Sequence, residues 1–284
     1  MTTRLNRRAA IKSAIATVVI ACMPALALAE GGTLADIKAR GQLTVGTEAA
    51  YEPYEFVQNG AVVGYGHDIL EYMANKLGVK LVQLNLPFQG LLPGLLSHKF
   101  DFVATSVGIT DERAKRFAFT EPVGEVRSMF VVNARNAAIV KPEDAVGKTV
   151  GTQMGSLAQP ALQEYDRQLK AKYGKGFAEI KLLQAYPDVS VALSNGTLDV
   201  GVVPSNVLSV QVRREPGAFK TIGELGERKL LAWVVNPQDP DIRAFINRTL
   251  DEMRANGKLA ELQKKWFGEP LNLPTSDYLP KGAL

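Results

Sequence analysis

Phe102-Val103-Ala104-Thr105-Ser106-Val107-Gly108-Ile109-Thr110-Asp111-Glu112-Arg113 opens as a strand, breaks at a glycine and enters a helix. Thr110 is a good N-cap, and Asp111 and Glu112 fall in the first turn, where carboxylates complement the helix dipole. Lys148-Thr149-Val150-Gly151-Thr152-Gln153-Met154-Gly155-Ser156-Leu157 repeats the layout. Each stretch lies in a longer alternation of strand-like and helix-like segments, which predicts an α/β fold with largely parallel sheets.

Working outward, Leu43-Thr44-Val45-Gly46 predicts a strand, and Ile69, Leu70, Met73 and Leu77 lie on one face of a helix that Gly78 ends. Val79 to Val82 reads as strand, and Leu91, Leu92, Leu95 and Leu96 as a short helix. The pattern restarts after a strand at Ser128 to Val132. Leu162, Tyr165 and Leu169 mark a long amphipathic helix, Lys181 to Ala185 a strand, and Asn195-Gly196 the left-handed close of a helix over Val189 to Leu193. Leu198 to Val203 is strand, a helix runs through Val212, and two helices follow the apolar run Leu230 to Val235. Asp239-Pro240 starts the first of them and Asn256-Gly257 stops it. Crossings near Ser128 and near Trp233 predict two lobes on a double hinge with a cleft between them. Residues 30–127 with 234–284 form the first, and 128–233 the second.

The chain has 284 residues and a formal charge of +4. Arg4, Arg7, Arg8 and Lys12 supply all of that excess, with no acid before Glu30. Beyond residue 29 the acids and bases balance, so nothing argues for a general polyanion or nucleic-acid binder. Residues 1–29 have a basic stretch, an apolar run from Ala14 through Leu28 and a small-residue end at Ala27-Leu28-Ala29. This is the layout of a signal peptide cut after Ala29, which predicts export to the periplasm. Arg7-Arg8 also fits a twin-arginine route. The one cysteine, Cys22, lies in this segment, where a lipid anchor is the alternative reading; the remainder has no disulfide and no thiol nucleophile.

Enzyme chemistry leaves little trace. There is no phosphate-cradling loop, Gly64-Tyr65-Gly66 lacks a third glycine, and no Gly-x-Ser-x-Gly elbow occurs. His67 and His98 have no metal-ligand spacing. No cofactor or metal is expected. Glu48, Glu55 and Asp101 are carboxylates with no partner in register.

Three constellations suit a ligand instead. The segment from Gly46 to Phe56 places Tyr51, Tyr54 and Phe56 after a strand, where open α/β folds hold ligands. Tyr54 and Phe56 are expected to pack on the core, leaving Tyr51, with Phe88 divided between the two roles. Thr105, Ser106 and Gly108 precede Arg113, whose guanidinium can fork onto a carboxylate; its alternative is a surface pair with Glu112 or Asp111. Free N–H groups near Ser156 make an anion seat.

These pieces together resemble the bacterial solute-binding proteins of the polar amino-acid family, with the type II periplasmic fold. The resemblance rests on Gly-Thr-x-x-x-Tyr51-x-Pro-Tyr54, Leu91-Leu92-Pro93-Gly94-Leu95, Thr110-Asp111-Glu112-Arg113 before Phe119-Thr120-Glu121-Pro122, Gly147-Lys148-x-Val150-Gly151, Asn195-Gly196-x-Leu198-Asp199 and Lys265-Trp266-Phe267-Gly268. It implies that Tyr51 and Phe88 sandwich a ligand and Arg113 grips its carboxylate. It also implies that Ser106 and Gly108 add hydrogen bonds, with Gln153, Ser156 and Leu157 closing from the second lobe. Three departures stand out. Gly66-His67 follows Gly64-Tyr65 where the family has an acid. Gly108 replaces a hydroxyl, and Pro204 replaces the aspartate that meets a ligand ammonium; Glu48, Asn206 or Tyr186 are the candidate substitutes. The implied role is the non-enzymatic, monomeric binding component of an ABC importer, serving a membrane permease with a small carboxylated solute. An enzyme of the cyclohexadienyl dehydratase kind, with Glu48 as acid–base group, and a chemosensory carrier are the alternatives.

Overall fold

The computed structural model describes residues 32–284; the expected leader, its cleavage site and Cys22 lie outside the described residues. The chain enters on α1 (Leu34–Arg40) and β1 (Gln42–Thr47). A small sheet follows, made of β2 (Ala50–Tyr51), β3 (Glu55–Gln58) and β4 (Ala61–Val63). Patterning predicts only an aromatic loop here, because strands this short show no alternation. Their pairing, Ala50 with Phe56 and Phe56 with Val63, orders the aromatics. The first block continues through α2 (Tyr65–Leu77), β5 (Lys80–Asn85), α3 (Phe88–Leu96), β6 (Phe102–Gly108) and α4 (Asp111–Ala114). The long strand β7 (Ala118–Asn133) carries the chain into the second block. There follow β8 (Thr149–Gln153), α5 (Ala158–Tyr173), β9 (Glu179–Leu183), α6 (Tyr186–Ser194), β10 (Val200–Pro204) and α7 (Ser205–Arg214). The return runs along β11 (Phe219–Val235) into α8 (Pro240–Ala255) and α9 (Lys258–Phe267).

All strands but the small three share one sheet, in the order β5-β1-β6-β11-β7-β10-β8-β9. β5, β1 and β6 run parallel at one end, and β10, β8 and β9 at the other. Between them β7 and β11 are antiparallel to each other and to their outer neighbours. The fold is therefore α/β and two-lobed, of the type II periplasmic-binding kind, with two strands crossing between the lobes. Central parallel strands are covered on both faces, and accordingly β6 and β10 are buried along their whole length.

The first crossing falls where Val126 still faces Lys229 while Ser128 faces both Leu225 and Pro204. The second differs from the expectation. Leu231 and Ala232 already pair with Gly108 and Val107 of β6, so β11 has rejoined the first lobe before Trp233. The ladder is interrupted between Leu225 and Lys229, where Gly226 takes a left-handed φ of +71° that a side chain would resist. The run Leu230–Val235 is apolar because it lies in the first lobe's core, with Trp233 fully buried against Phe102, ring centroids 5.8 Å apart.

Candidate ligand-binding cleft

A cavity of about 30 Å³, room for roughly two waters, lies between the lobes. Glu48, Tyr51, Phe88, Thr105, Ser106, Gly108 and Arg113 line it from the first lobe, and Gln153, Ser156 and Leu157 from the second. They meet because β1, β6 and β8 all end at the cleft, so the loops after them converge on it.

Arg113 owes its place to a cap. Thr110 accepts from the Arg113 backbone N–H at 3.2 Å, starting α4 and turning the side chain back across the end of β6. The guanidinium donates to the Gly108 carbonyl at 3.0 Å and, across the cleft, to the Gly155 carbonyl at 2.6 Å. It stands 5.9 Å over the Phe88 ring. Burial lowers its pKa, the usual cost of a cation away from water. Its hydrogen bonds run to neutral carbonyls and not to Glu112 or Asp111, so the surface-pair alternative does not describe it. Ser106, 6% exposed, has a buried hydroxyl with no partner.

Two carboxyls lie close by. Glu48 is buried and accepts from the Gln153 amide of the opposite lobe. Burial first, and then the charge of Asp188, push its pKa up to about 7 against the pull of that amide. Glu55, fully buried, takes the Thr105 hydroxyl at 3.3 Å, and burial raises it well above the carboxylate range. Thr105 therefore spends its proton on Glu55 rather than facing the cavity with it.

Other expectations need correction. Asn206 does not line the cavity. Its oxygen accepts from the Tyr51 hydroxyl at 3.3 Å and its nitrogen donates to the Glu52 carbonyl at 3.3 Å, so it braces Tyr51 from behind. The anion seat near Ser156 is partly spent, since the Gly155 N–H donates to the Gln159 side chain at 2.7 Å. Gly108 is not simply a missing hydroxyl: a Cβ there would come within 2.2 Å of Leu157, whose isobutyl group fills the space. Val126, Ser128 and Leu231 from the crossing strands, with Tyr186 and Pro204, complete the lining. Val126, Ser128 and Leu231 carry no motif; the signal for them is that strands crossing between lobes must run under the cleft.

A two-lobed α/β chain with polar side chains of both lobes converging on one cavity between them is the architecture of a bacterial solute-binding protein. Residues 43–269 match the model for bacterial extracellular solute-binding proteins, family 3, and the chain belongs to that family. It is similar to the probable amino-acid-binding protein YxeM of Bacillus subtilis (strain 168), 27% identical over 258 residues, 90% of this chain and 95% of that protein. Among solved structures it is similar to an ancestral arginine-binding protein bound to arginine (32% identity, TM-score 0.71, 81% of this chain and 99% of that one). It is also similar to the ancestral amino acid-binding protein AncCDT-1, described as a precursor of cyclohexadienyl dehydratase (26% identity, TM-score 0.70, 82% and 99%).

Proposed function

We propose that this chain is the exported, monomeric binding component of an ABC importer in the periplasm, holding a small carboxylated solute, an amino acid or a relative, between its lobes for delivery to the permease. Arg113 is the observation that carries the reading. A half-buried guanidinium in a cleft, answered only by carbonyls and lining the same cavity as the unpartnered Ser106 hydroxyl, is built for an anionic oxygen that arrives from outside. Closure supports it too, because the Gly155 carbonyl and the Gln153 amide reach across from the second lobe. With Leu157 over Gly108 and Pro204 in the lining, an α-ammonium would find no carboxylate on that side, only the Ser128 hydroxyl beside Pro204, which leaves Glu48 as the acid to receive it.

The test is mass spectrometry of ligand released from the denatured mature protein, followed by calorimetry with that ligand. Arg113→Ala should cost about 2–5 kcal/mol, because a carboxylate would be buried without its partner. A loss below about threefold would remove Arg113 from the site. One observation favours the enzyme alternative: Glu48, buried in the cavity wall, has its pKa raised to about 7, a value suited to proton transfer. Product formed from prephenate or arogenate would establish that reading; on the binding reading none is expected.

A further inference from the structure

Tyr186, the first residue of α6, is 7% exposed and sits in the cavity wall. Its ring centroid lies 5.8 Å from that of Tyr51, tilted by 34°. Tyr51 is also stacked on Tyr54 at 5.4 Å and 12°. The first lobe's candidate platform for a ligand therefore already carries two ring partners, one of them from the opposite lobe. The Tyr186 hydroxyl lies beside Ser156 and within electrostatic reach of Glu48 and Arg113. The ring is held against Tyr51 across the cleft, and moving it aside breaks that contact.

Behind it lies an open groove of about 410 Å³, mainly apolar but with the Glu52–Arg214 ion pair in its lining. Glu48 and Tyr51 line the cavity while the intervening Ala49 and Ala50 line the groove; Tyr186 lines the cavity while Pro187 lines the groove. The wall between the two spaces is thus a thin one, and Tyr186 is its bulkiest part contributed by the second lobe.

We propose that Tyr186 sets ligand length: it plugs the cleft on the groove side and restricts this protein to short carboxylates, of the size of alanine or pyruvate, against solutes as long as arginine. The inference rests on the carboxylate reading of Arg113, which places the ligand in the cavity that Tyr186 walls off from the groove. With the plug removed, the cavity opens into the groove and longer solutes fit.

Calorimetry on the mature chain with alanine, pyruvate, glutamine and arginine tests it, for wild type, Tyr186→Phe and Tyr186→Ala. Wild type should bind alanine or pyruvate at least about tenfold more tightly than arginine. Tyr186→Phe keeps the ring and should keep that order, whereas Tyr186→Ala should shift the ratio toward arginine by about tenfold or more. Tyr186→Leu repeats the comparison with an apolar side chain still against Tyr51, in case the alanine variant melts early. Wild type that prefers arginine or glutamine overturns the proposal, as does a ratio in both smaller variants within about threefold of wild type. Parallel titrations of Arg113→Ala separate the two ideas. Affinities that stay within about threefold of wild type after this change, with the length preference intact, uphold the role of Tyr186 and refute the carboxylate grip, while no binding of any probe to wild type or to Tyr186→Ala refutes both.

Discussion

Glu48 couples the closed state to protons. Its carboxyl is caught between the lobes, hydrogen-bonded to Gln153 of the other side, with a pKa raised from 4.5 to about 7 chiefly by burial. Opening the cleft returns it to water and to its ordinary value. A carboxyl whose pKa is higher when closed favours closure in its protonated form; that contribution is complete below about pH 4.5 and is lost as pH rises through about 7. The difference of about 2.5 pKa steps amounts to roughly 3 kcal/mol, a shift of about two orders of magnitude in the closure equilibrium. Glu55 adds little to this shift, because Thr105, its hydrogen-bond partner, belongs to its own lobe and travels with it. The only cysteine of the chain is Cys22, so a chain without the leader accepts a label pair cleanly. Val57 and Val191, 50% and 62% exposed, line the groove from opposite lobes and suit Val57→Cys with Val191→Cys. Pulsed spin-label distance measurements on ligand-free protein should show a longer, broader distribution at about pH 8 than at about pH 5. Glu48→Gln still accepts from Gln153 but cannot ionise, and should stay closed at both. A wild-type distribution that ignores pH, or a Glu48→Gln variant that follows it equally, would refute the reasoning.

Two further expectations concern packing. Gly108→Ala drives a Cβ into Leu157 and should weaken closure by about 1–3 kcal/mol, read as lost ligand affinity; Leu157→Ala in the same chain should recover most of it, and an undiminished loss in the double variant would contradict the contact. Trp233→Ala removes a fully buried side chain from the first lobe and should cost about 3–5 kcal/mol in urea unfolding, whereas a cost below about 1 kcal/mol would mean that β11 does not build that core.

What was legible in the sequence was local. Thr110 three residues before Arg113, glycines after Leu77 and Asn195, and apolar residues at helical spacing all act through neighbours within a turn, so their pattern survives in the linear text. The same locality made most cavity-lining residues recognisable, because they follow strand ends that an α/β alternation already orders. The short strands β2 to β4 escaped notice because pairing, not periodicity, defines them. The return of β11 was misplaced for the same reason: an apolar run is the same string whichever lobe buries it.

By itself, the sequence determined two βα lobes, a double crossing and a guanidinium at a helix start beside hydroxyls. Tertiary structure alone decided that Leu157 fills the space over Gly108, that Asn206 braces Tyr51 instead of facing the cavity, and that Tyr186 closes its wall. It also decided that Gln153 meets Glu48 and lifts it out of water. Each of these joins residues from opposite lobes, far apart in the chain. Steric fit and desolvation depend on distance in space, and no spacing along the sequence encodes it.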